Sequence, residues 1–112
     1  MKTYAFVGPS GTGKSYRAQM VANANGIHYI IDDGLLIDEN AVLAGTSAKK
    51  APTKIETVRH ALFIEPDEQK EMKEALKKYK PDNILILGTS DKMVEKIRES
   101  LSLPEFTKTI YI

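Results

Sequence analysis

The stretch Thr3-Tyr4-Ala5-Phe6-Val7-Gly8-Pro9-Ser10-Gly11-Thr12-Gly13-Lys14-Ser15 decides how the rest of the chain is read. Its first five residues form a short β-prone run that stops at Gly8, as a strand does. From Ser15 to about Ala24, Ala18, Val21 and Ala22 recur on one face at helical spacing. The segment therefore predicts strand, glycine-rich loop and helix in that order. Asn25-Gly26 suits a helix C-cap, and Ile27-His28-Tyr29-Ile30-Ile31 predicts a second strand ending at Asp32-Asp33-Gly34. A crossover of this length is about the minimum for pairing the two strands in parallel.

Further along, Leu35-Leu36-Ile37 and Ala41-Val42-Leu43 flank Asp38-Glu39-Asn40 as a small hairpin, and Gly45 to Lys50 reads as loop. Thr53 can cap a helix carrying Ile55, Val58 and Leu62. Pro66 opens another, acidic in its first turn (Asp67, Glu68) and basic in its last (Lys77, Lys78), matching the helix dipole. Its buried stripe is expected to be Met72, Ala75, Leu76 and Tyr79. Ile84-Leu85-Ile86-Leu87 is a continuous apolar run of the kind buried on both faces. Ser90 is placed to cap a helix burying Met93 or Val94, Ile97 and Leu101, and Thr107 to Ile112 is strand-like to the last residue. We expect one domain over residues 1–112, with the natural polypeptide continuing beyond it. The expected fold is α/β, a three-layer α/β/α sandwich on a mainly parallel sheet of about four to five strands, with its ligand at the strand C-terminal ends.

Gly8 to Ser15 is a full GxxxxGKS match, and four fixed positions coincide by chance with a probability of order 10⁻⁵ per window at ordinary residue frequencies. Accident is a poor explanation, the more so with a strand before and a helix after. On these residues the chain resembles the P-loop NTPase superfamily, the match being its Walker A element. The glycines let the backbone curl so that successive amide N–H groups converge on one phosphate. Lys14 carries a positive charge to the outer phosphates, Ser15 offers a hydroxyl to Mg²⁺, and the following helix aims its positive end at the same place. The resemblance implies nucleotide contacts from Gly8, Pro9, Ser10, Gly11, Thr12, Gly13, Lys14 and Ser15. Tyr16 completes that set, standing where many members carry a further hydroxyl residue near the α-phosphate. The resemblance is strong from Lys2 to about Ala22 and architectural beyond.

A P-loop usually works with a carboxylate at the end of a neighbouring strand. Asp32 and Asp33 end the second strand and are the expected catalytic pair with Lys14; Asp32 is also the expected metal ligand with Ser15. They would orient an acceptor or hold Mg²⁺, while Asp33-Gly34 equally suits a plain turn. Ala61-Leu62-Phe63-Ile64-Glu65 has the spacing of a Walker B strand, but Ile55, Val58 and Leu62 fit it better to an amphipathic helix. Thr89 and Ser90 are either γ-phosphate sensors or a helix cap, and Lys49, Lys50, Lys54 and Arg59 either a basic lid or a solvated loop. His28 and His60 lack metal-ligand spacing.

Composition narrows the classes. Hydrophobic residues make up 42% and charged residues 28% of 112, enough to build a core. A net charge of +1 gives no bulk reason to expect nucleic acid or an acidic membrane as partner. The absence of cysteine excludes disulfides, thiolate metal sites and cysteine nucleophiles. No apolar run is long enough to span a bilayer, and the apolar run before Gly8 is too short for a secretory signal, so the expected location is cytoplasmic. The expected function is ATP or GTP binding with Mg²⁺ and, by kinase-like phosphoryl transfer or hydrolysis, delivery of the γ-phosphate to an acceptor. A switch needing a protein partner and a non-catalytic nucleotide sensor are the alternatives.

Overall fold

Ile84, Leu85, Ile86 and Leu87 are each no more than 2% exposed, so strand β5 (Asn83–Gly88) lies in the middle of the molecule with apolar contacts on both faces. The structure is a computed structural model that describes residues 1–9, 14–38, 41–45, 62–63 and 66–112. Among them are five further strands, β1 (Lys2–Val7), β2 (Tyr29–Asp32), β3 (Leu35–Asp38), β4 (Ala41–Gly45) and β6 (Phe106–Tyr111). Three helices accompany them: α1 (Lys14–Ala24), α2 (Pro66–Tyr79) and α3 (Asp91–Ser100). All six strands join one sheet in the order β4-β3-β2-β5-β1-β6.

Pairing within this sheet is mixed. β1 runs parallel to β5 and β6, and β2 parallel to β5, whereas β2 with β3 and β3 with β4 are antiparallel. The expected three-layer sandwich on a mainly parallel sheet of four to five strands is therefore wrong: the described residues build a six-stranded mixed sheet, antiparallel at one end, with three helices. The physical reason is the turn at Asp33-Gly34. Asp32 pairs with Leu35, leaving two residues in the loop, with φ of 53° at Asp33 and 82° at Gly34. Two positive φ values in a two-residue loop are the type I′ pattern that matches strand twist, and Asp-Gly is its preferred sequence. A turn this tight sends β3 straight back along β2, so the sheet grows antiparallel there.

Alternation along the strands sorts side chains to two faces. Ala5, Val7, Ile31, Ile84 and Ile86 pack with Met72, Ala75 and Leu76 of α2 and Val94 and Ile97 of α3. Phe6, Ile30, Leu85 and Leu87 pack against Ala18 and Ala22 of α1. With alanines as its buried contacts, α1 can lie close on the sheet, and Tyr16 and Met20 are left on its exposed side. Phe63, fully buried, joins the first cluster. The acidic first turn and basic last turn of α2 stand as the sequence predicts.

The end of α3 positions the last strand. Ser102 turns with φ 54°, the Ser102 N–H donates to the Glu99 carbonyl, and the Leu103 N–H donates to the Arg98 carbonyl at 3.0 Å, a Schellman-type stop made without glycine. The Arg98 guanidinium donates to the Leu103 carbonyl at 3.0 Å and is held in turn by Glu95. Thr3, wholly buried on β1, donates its hydroxyl to the carbonyls of Pro104 and Glu105 at 2.9 and 3.0 Å, which feeds β6 in beside β1.

Gly45 ends β4 with φ 96°, and a Cβ there would run into the Gly34 carbonyl. Replacing Gly45 with Ala should therefore destabilise the protein by about 1–3 kcal/mol. The check is urea unfolding followed by circular dichroism, where the midpoint should fall with an unchanged slope.

Candidate functional site

Because β2, β5, β1 and β6 all run in one direction, their C-terminal ends share one edge of the sheet. Val7 is level with Gly88 on one side and Tyr111 on the other. On β2, Ile31 pairs with Ile86, so Asp32 lies one residue further, toward the same edge. Two strand spacings of about 4.8 Å separate β2 from β1, which puts the Asp32 backbone roughly 10 Å from that of β1. The chain leaves this edge at Gly8-Pro9 and α1 begins at Lys14.

The Gly8 N–H donates to the Gly88 carbonyl at 3.1 Å, extending the β1–β5 ladder by one rung past the strand. A Cβ on Gly8 would strike the side chain of Ile112, whose own N–H donates to the Val7 carbonyl at 3.0 Å. Glycine at position 8 thus has a steric reason within the fold, besides any role in a ligand loop. Ser10, Gly11, Thr12 and Gly13 lie outside the described residues. Lys14 and Ser15 are the first residues of α1, and Tyr16, next along, is 75% exposed.

Of the two carboxylates, Asp32 is the last residue of β2 and Asp33 the first of the I′ turn. Both are half-buried. The turn reading of Asp33-Gly34 is thus realised, while Asp32 keeps its place at the strand end. Ser15 and Asp32 would supply a hydroxyl and a carboxylate oxygen, hard donors of the type Mg²⁺ takes in ones and twos beside phosphate oxygens and water. Among the described residues no group of three or more His, Asp or Glu is assembled for a metal. Leu62 is helical and Phe63 turns with φ 56°, which is not strand backbone. Ala61, Ile64 and Glu65 lie outside the described residues, as do Thr53, Ile55, Val58 and His60 and the basic cluster Lys49, Lys50, Lys54 and Arg59.

On the β5 side of Gly8, the exposed Thr89 and Ser90 lead from Gly88 into α3. Ser90, at φ −154° and ψ 161°, accepts the Met93 N–H at 3.1 Å as an N-cap. The Thr89 N–H and hydroxyl both donate to the Met93 sulfur, at 3.4 and 3.5 Å. Gly88 lies so close to α3 that a Cβ would meet Val94 Cγ1 at 2.6 Å and Met93 at 3.4 Å. On the β6 side the Tyr111 hydroxyl donates to Asp91 Oδ1 at 2.7 Å, with Tyr111 61% and Ile112 43% exposed. In the sequence Tyr111 is one of several scattered tyrosines, and nothing there pairs it with Asp91. They are 20 residues apart, and the parallel pairing of β6 with β1 is what brings them together.

A depression of about 340 Å³ on α2, bordered by Gln69, Lys70, Lys73, Glu74 and Lys77, belongs to that helix and not to this edge. Among the described residues no helix is long and apolar enough to cross a membrane. Comparison with protein-family models, with curated proteins and with solved structures finds no match to this chain.

Asp91 raises the Tyr111 pKa above the usual phenol value, chiefly through their hydrogen bond and then through burial and its charge. The folded chain holds that proton more tightly than the unfolded one, so the bond's contribution is present below the ordinary phenol pKa and fades as pH climbs through the raised one. In a spectrophotometric titration, the component lost in Tyr111→Phe should titrate above the ordinary phenol value and move down in Asp91→Asn. Equal titration in both backgrounds would dissolve the pair.

Proposed function

We propose that this chain binds a nucleoside triphosphate, ATP or GTP, together with Mg²⁺, and directs its γ-phosphate to an acceptor hydroxyl or to water. The observation that carries the reading is the run Gly8 to Ser15, a complete GxxxxGKS, with strand β1 before it and helix α1 opening at Lys14. Asp32, at the end of β2 on the same sheet edge, supports it. Anion capture needs the strand, the loop and the helix start; the antiparallel part of the sheet begins at β2, two strands from β1, and takes in Asp32 through its pairing with Leu35.

In this reading the amides of residues 10–15 and the Lys14 ammonium surround the β- and γ-phosphates, and the N-terminal end of α1 adds its partial positive charge. Mg²⁺, when bound through Ser15, neutralises charge on the phosphate oxygens. Asp32 takes the proton of the attacking hydroxyl or water as its oxygen approaches phosphorus in line, and the terminal P–O bond breaks toward the nucleoside diphosphate. The work is positioning and charge stabilisation, with no covalent enzyme intermediate. We place the protein in the cytoplasm, where such nucleotides are plentiful, with the acceptor or a protein partner as its second ligand.

A second reading, nucleotide sensing without turnover, draws on Asp33. Its place in the I′ turn gives that residue a structural reason and leaves Asp32 to carry the carboxylate chemistry alone.

Lys14→Ala should weaken Mg-ATP and Mg-GTP binding by about 1.5–3 kcal/mol, roughly 10- to 150-fold, in isothermal titration calorimetry, with the melting temperature of the free protein unmoved. Unchanged affinity for both nucleotides would end the reading. In a phosphate-release assay and in an acceptor screen, Asp32→Asn should cut turnover by about 10²-fold or more while nucleotide binding persists. Binding with no turnover in the wild type would select the sensor.

A further inference from the structure

From the turn that ends α1 we infer that Asn25 is a site of spontaneous deamidation, closing onto the Gly26 amide in a reaction that unfastens the cap of that helix. The inference is independent of the nucleotide reading. α1 ends at Ala24 and is followed by a Schellman stop. The Ile27 N–H donates to the Ala22 carbonyl at 2.8 Å and the Gly26 N–H to the Asn23 carbonyl at 3.4 Å, with Gly26 at φ 68°. The Asn25 side chain belongs to this cap, its Nδ2 donating to the Val21 carbonyl at 2.8 Å. The Gly26 carbonyl accepts in turn from Asn83 Nδ2 at 3.3 Å, at the start of β5.

Three features of the turn favour attack by the Gly26 nitrogen on Asn25 Cγ. Asn25 and Gly26 are both exposed, so water and base reach the amide. Gly26 has no Cβ, and beyond its chain neighbours no atom lies within 4 Å of where one would stand, so the backbone is free to turn into the ring-closing conformation. The Gly26 N–H is held by a long bond and gives up its proton more readily than an amide inside the sheet.

The other described asparagines lack this combination. Asn23 lies within α1 and precedes Ala24, whereas Asn83 opens β5 and precedes Ile84, a wholly buried β-branched residue. Asn40 lies outside the described residues. Asp33-Gly34 has the same order with an acid in place of the amide, but Gly34 is buried in the I′ turn.

Base takes the Gly26 N–H proton, the nitrogen attacks Cγ, and Nδ2 leaves as ammonia, closing a succinimide across the two residues. Water then opens one of the imide C–N bonds. Opening at Cγ gives aspartate and opening at the backbone carbonyl gives isoaspartate; in sum one water is consumed and one ammonia released, with no change of oxidation state. Either product loses the donor to Val21 and puts a negative charge at the negative end of the α1 dipole. Isoaspartate also routes the main chain through the side-chain methylene, which displaces the Gly26 carbonyl from Asn83.

The test incubates the full chain at mildly alkaline pH, folded and in parallel in urea, and follows ammonia release and peptide mapping by mass spectrometry. Acid should form first at Asn25, at least about tenfold faster than at Asn23 or Asn83. The folded chain should convert within about tenfold of the unfolded rate, because the Asn25 side chain is held by one exposed hydrogen bond. Converted protein should melt about 2–6 °C below fresh protein. Asn25→Gln, whose larger ring closes slowly, should lose the early ammonia.

Four results would overturn the inference. No conversion at Asn25 in the folded chain, while the unfolded chain converts, shows that the cap shields the amide. Acid forming first at Asn23, Asn40 or Asn83 moves the site. Early ammonia undiminished in Asn25→Gln gives it another source. Conversion that leaves melting unchanged means that the side chain does not serve the cap.

Discussion

Strand β1 is paired on both sides, to β5 and to β6, and the candidate site depends on that double pairing. A buried strand has to satisfy its N–H and C=O groups along both edges, because an unpaired buried amide costs about as much as a lost hydrogen bond. The ladder to β5 starts with the Lys2 N–H on the Asp82 carbonyl at 2.9 Å and runs to Gly8 on Gly88. The ladder to β6 ends with Ile112 on Val7. β1 thus ends in a defined place, between Gly88 and Tyr111, where the run Gly8 to Ser15 begins.

The packing follows from the same constraint. With β1 and β5 buried on both faces, each face needs a cover of apolar side chains, supplied by α1 on one and by α2 and α3 on the other. Small residues, Ala18 and Ala22, do this for α1, while α2 and α3 use Met72, Leu76, Val94 and Ile97. Complete burial of each such larger side chain is worth about 1.5–3 kcal/mol, so the core has strength to hold β6 in place through the Arg98, Thr3 and Schellman contacts.

Much of the local structure was legible in the residues. Alternating or continuous apolar runs located β1, β2, β5 and β6, and the spacing of Met72, Ala75 and Leu76 and of Val94 and Ile97 located α2 and α3. The cap at Ser90 was readable because its side chain acts within three residues. The hairpin of β3 and β4 was legible too, in the two apolar runs that flank Asp38-Glu39-Asn40. Asp33-Gly34 is both a carboxylate at a strand end and an I′ turn signal, and it is the turn that makes the sheet grow antiparallel there.

What the sequence by itself determined is the set of short-range elements and the GxxxxGKS run between the first strand and helix, since caps, turns and periodicity act over a few residues. Only the tertiary structure decided the strand order, the mixture of parallel and antiparallel pairs, and the meeting of Tyr111 with Asp91 beside Gly8. Those depend on which strand edges find each other across tens of residues, and a strand's residue pattern specifies its faces far more strongly than its neighbours.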